Sequence, residues 1–222
     1  RSGVTASSSC TASDLSCYRS ITLVEVGNTC SGGTDTSGDA IATASVFWFA
    51  DATDASSSFS AQYWDASVTA TDGQSSSTLG RASDTSTGTS SISTLVALNV
   101  TATISYGSFA VNSSSSAAQA KTATTTNTGN STIDILFSGT DMTAGSFTLA
   151  ATEQRYGTTS AAHPTLSFQL TTTATERELN TGPATSSSTA SASSTFWGVN
   201  VPSGQQNGSY TGTNTFTAKF ND

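Results

Sequence analysis

The sequence predicts an all-β protein of the β-sandwich type, and three observations support this prediction. About two of every five residues are Ser or Thr, and threonine is β-branched and favours pleated, half-buried positions. Short apolar clusters alternate with polar residues between turn-forming residues, which is typical of strands that bury one face against a second sheet. No helical periodicity of useful length occurs.

The candidate strands are irregular in the first half of the chain and regular in the second. Those of the first half are residues 21–26, 41–50 and 59–71, the last of them followed by the hairpin signal Asp72-Gly73. Those of the second half are residues 95–107, 121–126, 133–137, 147–151, 166–173, 196–201 and 210–220. Strands at this spacing favour a sandwich of immunoglobulin-like topology.

One predicted strand is apolar on both faces. Alternation places Val46 and Trp48 on one face and Phe47 and Phe49 on the other. A strand of this kind is buried on both sides. We therefore expect it to be central in its sheet, or covered by a neighbouring domain or subunit.

Three regions are predicted along the chain. Residues 1–20 are polar and turn-rich and form an N-terminal arm or a donor strand. Residues 21–90 form a first β-module, and residues 91–222 form a second, immunoglobulin-like sandwich. The boundary falls in the Ser/Thr-rich stretch 74–91, where Leu79 is the one large apolar residue.

Charge and hydropathy exclude several classes of partner. The net charge is −8 with a pI near 4.3, whereas binding to nucleic acid or to anionic membranes requires clustered Lys and Arg. No apolar stretch approaches the roughly 20 residues of a membrane span. Arg1 is followed directly by a polar segment, so we expect the chain to be the processed form of a secreted protein.

The three cysteines lie within the first 30 residues, at Cys10, Cys17 and Cys30. They predict a disulfide that fastens an N-terminal arm, and the odd number leaves one thiol free or bound to another subunit. Zinc binding is disfavoured because no second ligand cluster exists and His163 is remote in sequence.

Three segments together resemble the immunoglobulin-like domains of bacterial and archaeal extracellular proteins. Residues 127–130 (Asn-Thr-Gly-Asn) before the strand 133–137 are similar to a hairpin of those domains, and residues 196–204 with 208–212 are similar to their closing hairpin. Residues 63–73 resemble the penultimate strand of a preceding module. The resemblance implies a secreted, cell-surface or filament-forming prokaryotic protein, and it places no catalytic residue.

The acidic and catalytic residue types give weak signals. Asp51 and Asp54 follow the aromatic strand, and loop carboxylates at sandwich edges bind calcium, which takes about six to eight oxygen ligands. The alternative is a pair of solvated loop acids. His163 precedes Pro164 in a polar loop, and neither a nucleophile elbow nor a selected pair of carboxylates accompanies it. We therefore expect no enzyme, and no cofactor unless calcium binds.

Two kinds of carbohydrate site are considered. Trp64 and Trp197 would offer flat platforms to a glycan if their rings were exposed, although aromatic residues on strands usually lie in the core. Four Asn residues fit the N-glycosylation triplet, namely Asn99, Asn112, Asn130 and Asn207. Of these, Asn112 in a Ser-rich loop and Asn207 in a turn are the most accessible candidates.

The leading functional hypothesis is an extracellular structural subunit. Copies would join head to tail by β-strand addition into a fibre, sheath or surface layer, with residues 1–20 as the donor. The alternative is a monomeric glycan-binding or adhesin module, which calcium would assist. A phage or viral surface protein has a similar composition.

Overall fold

The computed structural model of the protein describes residues 4, 10, 15–17, 23–25, 40–42, 46–64, 66–71, 76–82, 90–101, 103–186 and 189–221. These residues form fifteen β-strands, three short 3₁₀ helices and no α-helix. The all-β prediction is therefore confirmed. Within the same residues, no helix has the length and apolarity needed to cross a bilayer.

The strands are numbered in chain order. They are β1 Leu23–Glu25, β2 Ala40–Ala42, β3 Ala66–Thr71, β4 Ser76–Ala82, β5 Leu98–Val100, β6 Ser113–Ser114, β7 Lys121–Asn127, β8 Ile133–Gly139, β9 Met142–Ala144, β10 Phe147–Leu149, β11 Gln154–Gly157, β12 Phe168–Gln169, β13 Thr175–Thr181, β14 Ser191–Val201 and β15 Asn214–Phe220. The 3₁₀ helices are Ala117–Gln119, Ala151–Glu153 and His163–Thr165.

The chain divides into two compact units. Unit 1 comprises Arg1–Leu95 with Thr185–Thr189, and unit 2 comprises Val96–Ala184 with Ala190–Asp222. The domain boundaries predicted from the sequence stay a prediction. One feature of the predicted boundary does differ, because β4 lies inside the stretch 74–91. Ser and Thr occur in strands as well as in linkers, so a Ser/Thr-rich composition alone does not distinguish a strand from a linker.

Unit 1 contains two antiparallel strand pairs. β1 pairs with β2, and β3 pairs with β4 with a shift of register between Ala66 and Val68. The β3–β4 pair agrees with the hairpin expected around Asp72-Gly73, although these two residues lie outside the described part. The remainder of the described unit is non-strand chain, held by hydrogen bonds such as Trp64 N–H to the Ser90 carbonyl at 2.9 Å.

The predicted strand 41–50 overlaps β2 at its beginning and is wrong at residues 46–50. Residues 46–50 form a turn, in which the rings of Phe47 and Phe49 stack with centroids 5.1 Å apart. Phe49 is fully buried, whereas Val46 is 50% exposed and Trp48 is 46% exposed. Alternation placed Val46 with Trp48 and Phe47 with Phe49, and the two pairs do differ in exposure. The strand was predicted to be central because both of its faces are apolar, but only the side of the phenylalanines is covered.

Unit 2 contains two larger antiparallel sheets and a small hairpin. The first sheet has the order β12-β11-β14-β7-β5, with β6 pairing the end of β14. The second has the order β13-β8-β15, and β9 and β10 form the hairpin. β8 and β15 run side by side over seven residue pairs, from Asn214 opposite Gly139 to Phe220 opposite Ile133.

The two sheets meet through an aromatic core. Phe137 of β8 lies with its ring centroid 4.7 Å from that of Tyr156 on β11 and 6.0 Å from that of Trp197 on β14. Phe216 of β15 packs edge-on against Phe137 at 4.9 Å. On β8, alternation turns Ile133, Ile135 and Phe137 into this core. Inward-facing residues of two sheets therefore form one continuous cluster.

Candidate functional site

Asp54, one of the two predicted calcium ligands, binds another part of its own chain. Its two carboxylate oxygens accept hydrogen bonds from the Thr94 backbone N–H at 2.7 Å and from the Thr94 hydroxyl at 2.6 Å. The hydroxyl, and after it the N–H, hold the pKa of Asp54 below its ordinary value. The carboxylate therefore links the loop that contains Asp51 and Asp54 to the segment that contains Thr94.

The backbone of Asp51, the second predicted ligand, makes two hydrogen bonds. Its N–H donates to the Leu15 carbonyl at 2.8 Å, and its carbonyl accepts the indole N–H of Trp64 at 3.0 Å. Across the described part of the chain, no three His, Cys, Asp or Glu side chains come close enough together to hold a metal ion. Calcium binding at Asp51 and Asp54 stays a prediction.

The first two cysteines form a disulfide, Cys10–Cys17, with Cα atoms 5.4 Å apart. Cys10 is buried, and Leu15, inside the disulfide loop, accepts the hydrogen bond from Asp51. The loop is therefore attached to the rest of unit 1 in this conformation. Cys30 lies outside the described residues.

The two tryptophans considered as glycan platforms have different surroundings. Trp197 is fully buried, its ring stacks on that of Tyr156 at 4.8 Å, and its indole N–H donates to the Thr195 hydroxyl at 2.8 Å. Trp64 is half-buried, and its indole N–H is bonded to Asp51. A sugar cannot reach the ring of Trp197 in this conformation.

Two aromatic residues in the described part of unit 1 are exposed, and the sequence reasoning did not select them. Trp48 is 46% exposed and Tyr63 is 40% exposed. Both lie in segments that were predicted as strands. Alternation predicted that Trp48 is buried, and it did not decide which face Tyr63 occupies. Their exposure follows from the turn at residues 46–50 and the irregular chain at residues 61–63.

The glycosylation candidates are placed as follows. Asn112 and Asn207 are exposed, and Asn112 has a φ of 55°, at the turn before β6. Asn99 is exposed on β5, and Asn130 is only 7% exposed. Accessibility therefore favours Asn112, Asn207 and Asn99 over Asn130, and the modification itself stays a prediction.

His163 begins a 3₁₀ helix in unit 2, and its backbone N–H donates to the Ser115 carbonyl at 2.9 Å. Burial lowers the pKa of His163, against a smaller opposing effect of the Glu153 backbone. Its Nε2 atom is buried and has no hydrogen-bond partner among the described residues. The nearby Glu153 carboxylate accepts a bond from Asn200 at 2.6 Å.

A cleft of about 510 Å³ lies between the edge strands β12 and β13 of unit 2. The Arg177 guanidinium carbon is 4.1 Å from the centroid of the Phe168 ring, so the arginine covers the aromatic face at this position. The cleft is lined by Thr158, Ser167, Phe168, Glu176, Arg177, Glu178 and Leu179. Its lining is mostly polar, and its one aromatic ring is occupied by a cation–π contact.

Comparison with known proteins does not assign a family. No protein-family model matches the sequence, and no curated protein matches it significantly. The function of the chain has to be argued from its own residues.

Proposed function

We propose that the protein is a structural subunit of an extracellular homopolymer, such as a pilus-like fibre, a sheath or a surface layer, whose copies join by β-strand addition. In this mode, an extended segment of one chain pairs with a free sheet edge of the next. The observation that carries the proposal is the three-stranded sheet, in which both outer strands, β13 and β15, are seven residues long. Long edge strands are sites of pairing with another chain unless they are protected.

The two edges differ in how well they are protected. β13 carries Glu176, Arg177 and Glu178, and its register shifts before Thr181, where Asn180 has a φ of 48°. Charged side chains and bulges of this kind discourage pairing. β15 has a single charged residue and otherwise alternates Thr with Phe and Ala. The β15 side is therefore the more suitable edge for strand addition.

The proposal includes an immunoglobulin-like sandwich in unit 2 and a modular chain. The support is the pair of antiparallel sheets with a shared aromatic core, together with the buried Trp197 at its centre. The division of the chain into two compact units supports the modular organisation. Residues 1–20 complete the proposal as an arm that precedes the first module.

An extracellular location is proposed on chemical grounds. A Cys10–Cys17 disulfide is stable in an oxidising compartment and rare in a reducing one. A chain with only 10% charged residues suits subunits that pack closely, because fewer like charges then face one another. The proposal assigns neither a catalytic residue nor a cofactor.

The alternative is a monomeric glycan-binding module, and one observation favours it. Trp48 and Tyr63 are both substantially exposed in unit 1, and exposed aromatic rings stack on sugars. The predicted platform residue Trp197 does not contribute, because it is buried in unit 2. Loss of glycan binding on Trp48→Ala would support this alternative.

Negative-stain electron microscopy of the native material, with and without a calcium chelator, tests the proposal. We expect long uniform fibres or sheets, because each copy both offers and accepts a strand. Compact separate particles in both conditions would contradict the polymer and favour the glycan-binding alternative. Fibres that are lost only with the chelator would place calcium in the assembly.

A further inference from the structure

The outer edge of the first sheet in unit 2 is formed by β5, and we call residues 96–101 and 103–110, which contain β5 and the chain after it, the edge segment. Its strand β5 is the last strand of the sheet and pairs with β7. This pairing is extended by Thr128 N–H to the Ala97 carbonyl at 3.1 Å and by Thr101 N–H to the Thr124 carbonyl at 3.1 Å. Beyond Thr101, residues 103–110 make no backbone–backbone hydrogen bond to any described residue. The edge segment can therefore leave without disrupting an interior strand pair.

Side chains, more than backbone bonds, hold the second half of the edge segment. Ile104 and Tyr106 pack against the aromatic core, and Phe109 packs against a smaller apolar cluster around Met142. The Tyr106 hydroxyl donates to Gln154 Oε1 at 2.9 Å. Ile104 and Tyr106 alternate as the side chains of a donated strand do, and the backbone turns after them at Gly107, whose φ is 85°.

The edge segment ends at a short turn. Residues 111–112 reverse the chain before β6 begins at Ser113. Asn112 has a φ of 55°, in the left-handed region that asparagine adopts more readily than other residues with a Cβ atom. Val111 beside it is 47% exposed. A short hinge loop of this kind is a site at which the connected element can be exchanged between copies.

We infer that the edge segment is the strand exchanged between copies: it leaves its own place beside β7 and occupies the same place in a second copy. The inference rests on the proposed polymer and assigns its junction to the β7 edge of the first sheet instead of the free β15 edge of the second. The segment of one copy fits beside β7 of the second copy, because an identical segment occupies that place in the structure. Exchange carries residues 1–110 together into the second copy, where the edge segment makes the same contacts beside β7, and it opens the hinge at residues 111–112. A series of such exchanges that does not close on itself produces a filament.

The N-terminal arm is less suitable as the donor. Its residues Cys10 and Cys17 are joined by a disulfide, and Leu15 between them is bonded to Asp51 of the same unit. The edge segment has no such covalent restraint among its described residues.

Disulfide trapping distinguishes an edge segment that stays in its own chain from one that is exchanged. Asn99 of β5 lies opposite Thr126 of β7, and directly opposite residues on antiparallel strands are close enough for a disulfide. The test variant is Asn99→Cys with Thr126→Cys in a Cys30→Ser background. It is assembled with mild reductant, oxidised and analysed on non-reducing denaturing gels.

The matched control keeps Thr126→Cys and changes the residue to which it is linked. Thr126 also lies opposite Ala192 of β14, so Ala192→Cys with Thr126→Cys places a disulfide between two strands that exchange leaves in one chain. We expect a covalent ladder from assembled Asn99/Thr126 protein and only monomer from the Ala192/Thr126 control. Fibres in which the Asn99/Thr126 protein stays monomeric would overturn the inference and leave residues 1–20 as the donor. The absence of any assembly would instead overturn the proposed polymer.

Hinge variants give a second, independent measurement on the whole chain. Asn112→Gly tolerates the positive φ, so it should slow assembly roughly 5-fold by favouring the closed form. Asn112→Val makes the closed turn less favourable and should accelerate assembly. Equal assembly rates of both variants, followed by sedimentation, would contradict exchange through this hinge.

Discussion

Trp197 and Trp48 illustrate how the same residue type takes opposite positions in one chain. Trp197 lies on β14, where its ring is enclosed by Tyr156, Phe137 and Phe216. Trp48 lies in a turn and touches Phe49 edge-on at 5.3 Å, with nearly half of its surface exposed. We therefore expect the two side chains to contribute differently to the free energy of unfolding.

We predict that Trp197→Ala destabilises unit 2 by about 3–5 kcal/mol, because it removes a fully buried aromatic side chain and leaves a cavity. Trp48→Ala should change the free energy of unfolding by less than ~1 kcal/mol, since surface substitutions rarely exceed that. Urea unfolding followed by circular dichroism measures both. Similar losses for the two variants would contradict the burial described above.

Asp54 makes the stability of unit 1 depend on pH in the acidic range. The bonds from Thr94 favour the ionised carboxylate and lower its pKa in the folded state. Their contribution is therefore present above the pKa of the unfolded chain, about 3.9, and is lost as pH falls through the lower folded value.

Asp54→Asn should lower the melting temperature at pH 7 by only about 2–4 °C, because the half-buried carboxylate is still screened by solvent. The variant should also show a weaker decrease in stability between pH 5 and pH 3, roughly the range of carboxylate titration. Thermal scans over this range test the prediction, with the exposed Glu178→Gln as control. An unchanged acid dependence would show that the Asp54–Thr94 bonds contribute little.

At the scale of the element, three long strands of unit 2 were predicted from the sequence and two others were missed. The predicted segments 121–126, 133–137 and 196–201 correspond to β7, β8 and β14, which carry the core. β11 and β13 were missed, because Arg155, Arg177 and two glutamates mask their alternation. Both strands are recognised only by their pairing, β11 with β14 and β13 with β8.

The turn between β7 and β8 combines a predicted motif with a contact that the sequence did not reveal. Asn127 accepts the Gly129 backbone N–H at 2.8 Å, as an Asn-initiated turn requires. Its Nδ2 atom also donates to the Thr181 carbonyl at 2.8 Å, near the end of β13. The motif identifies the turn, whereas its link to a distant strand depends on tertiary packing.

The Cys10–Cys17 disulfide should stabilise unit 1 mainly by restricting the unfolded chain. For a sequence separation of 7, chain-entropy arguments give about 2–3 kcal/mol. We expect the double variant Cys10→Ser/Cys17→Ser to unfold at lower denaturant concentration by that amount, measured by urea titration. A midpoint equal to that of the oxidised wild type would contradict a structural role for the disulfide.

At the scale of the whole molecule, the net charge of −8 opposes association of identical copies. We predict that assembly accelerates as NaCl rises from about 10 to 150 mM, because the Debye length falls to about 8 Å. Light scattering follows the rate, and CaCl₂ at equal ionic strength is the control. A rate that rises with CaCl₂ but not with NaCl would indicate specific calcium binding in place of screening.

The sequence by itself determined the all-β class, the core strands β7, β8 and β14, and the cysteine-fastened N-terminal region. These depend on local composition and alternation, which are properties of neighbouring residues. The tertiary structure decided that Trp197 is buried and Trp48 exposed, that Asp54 binds Thr94, and which strands lie at sheet edges. Each of these depends on residues distant in the chain, since burial and edge position are set by what packs against a strand and not by the strand's own sequence.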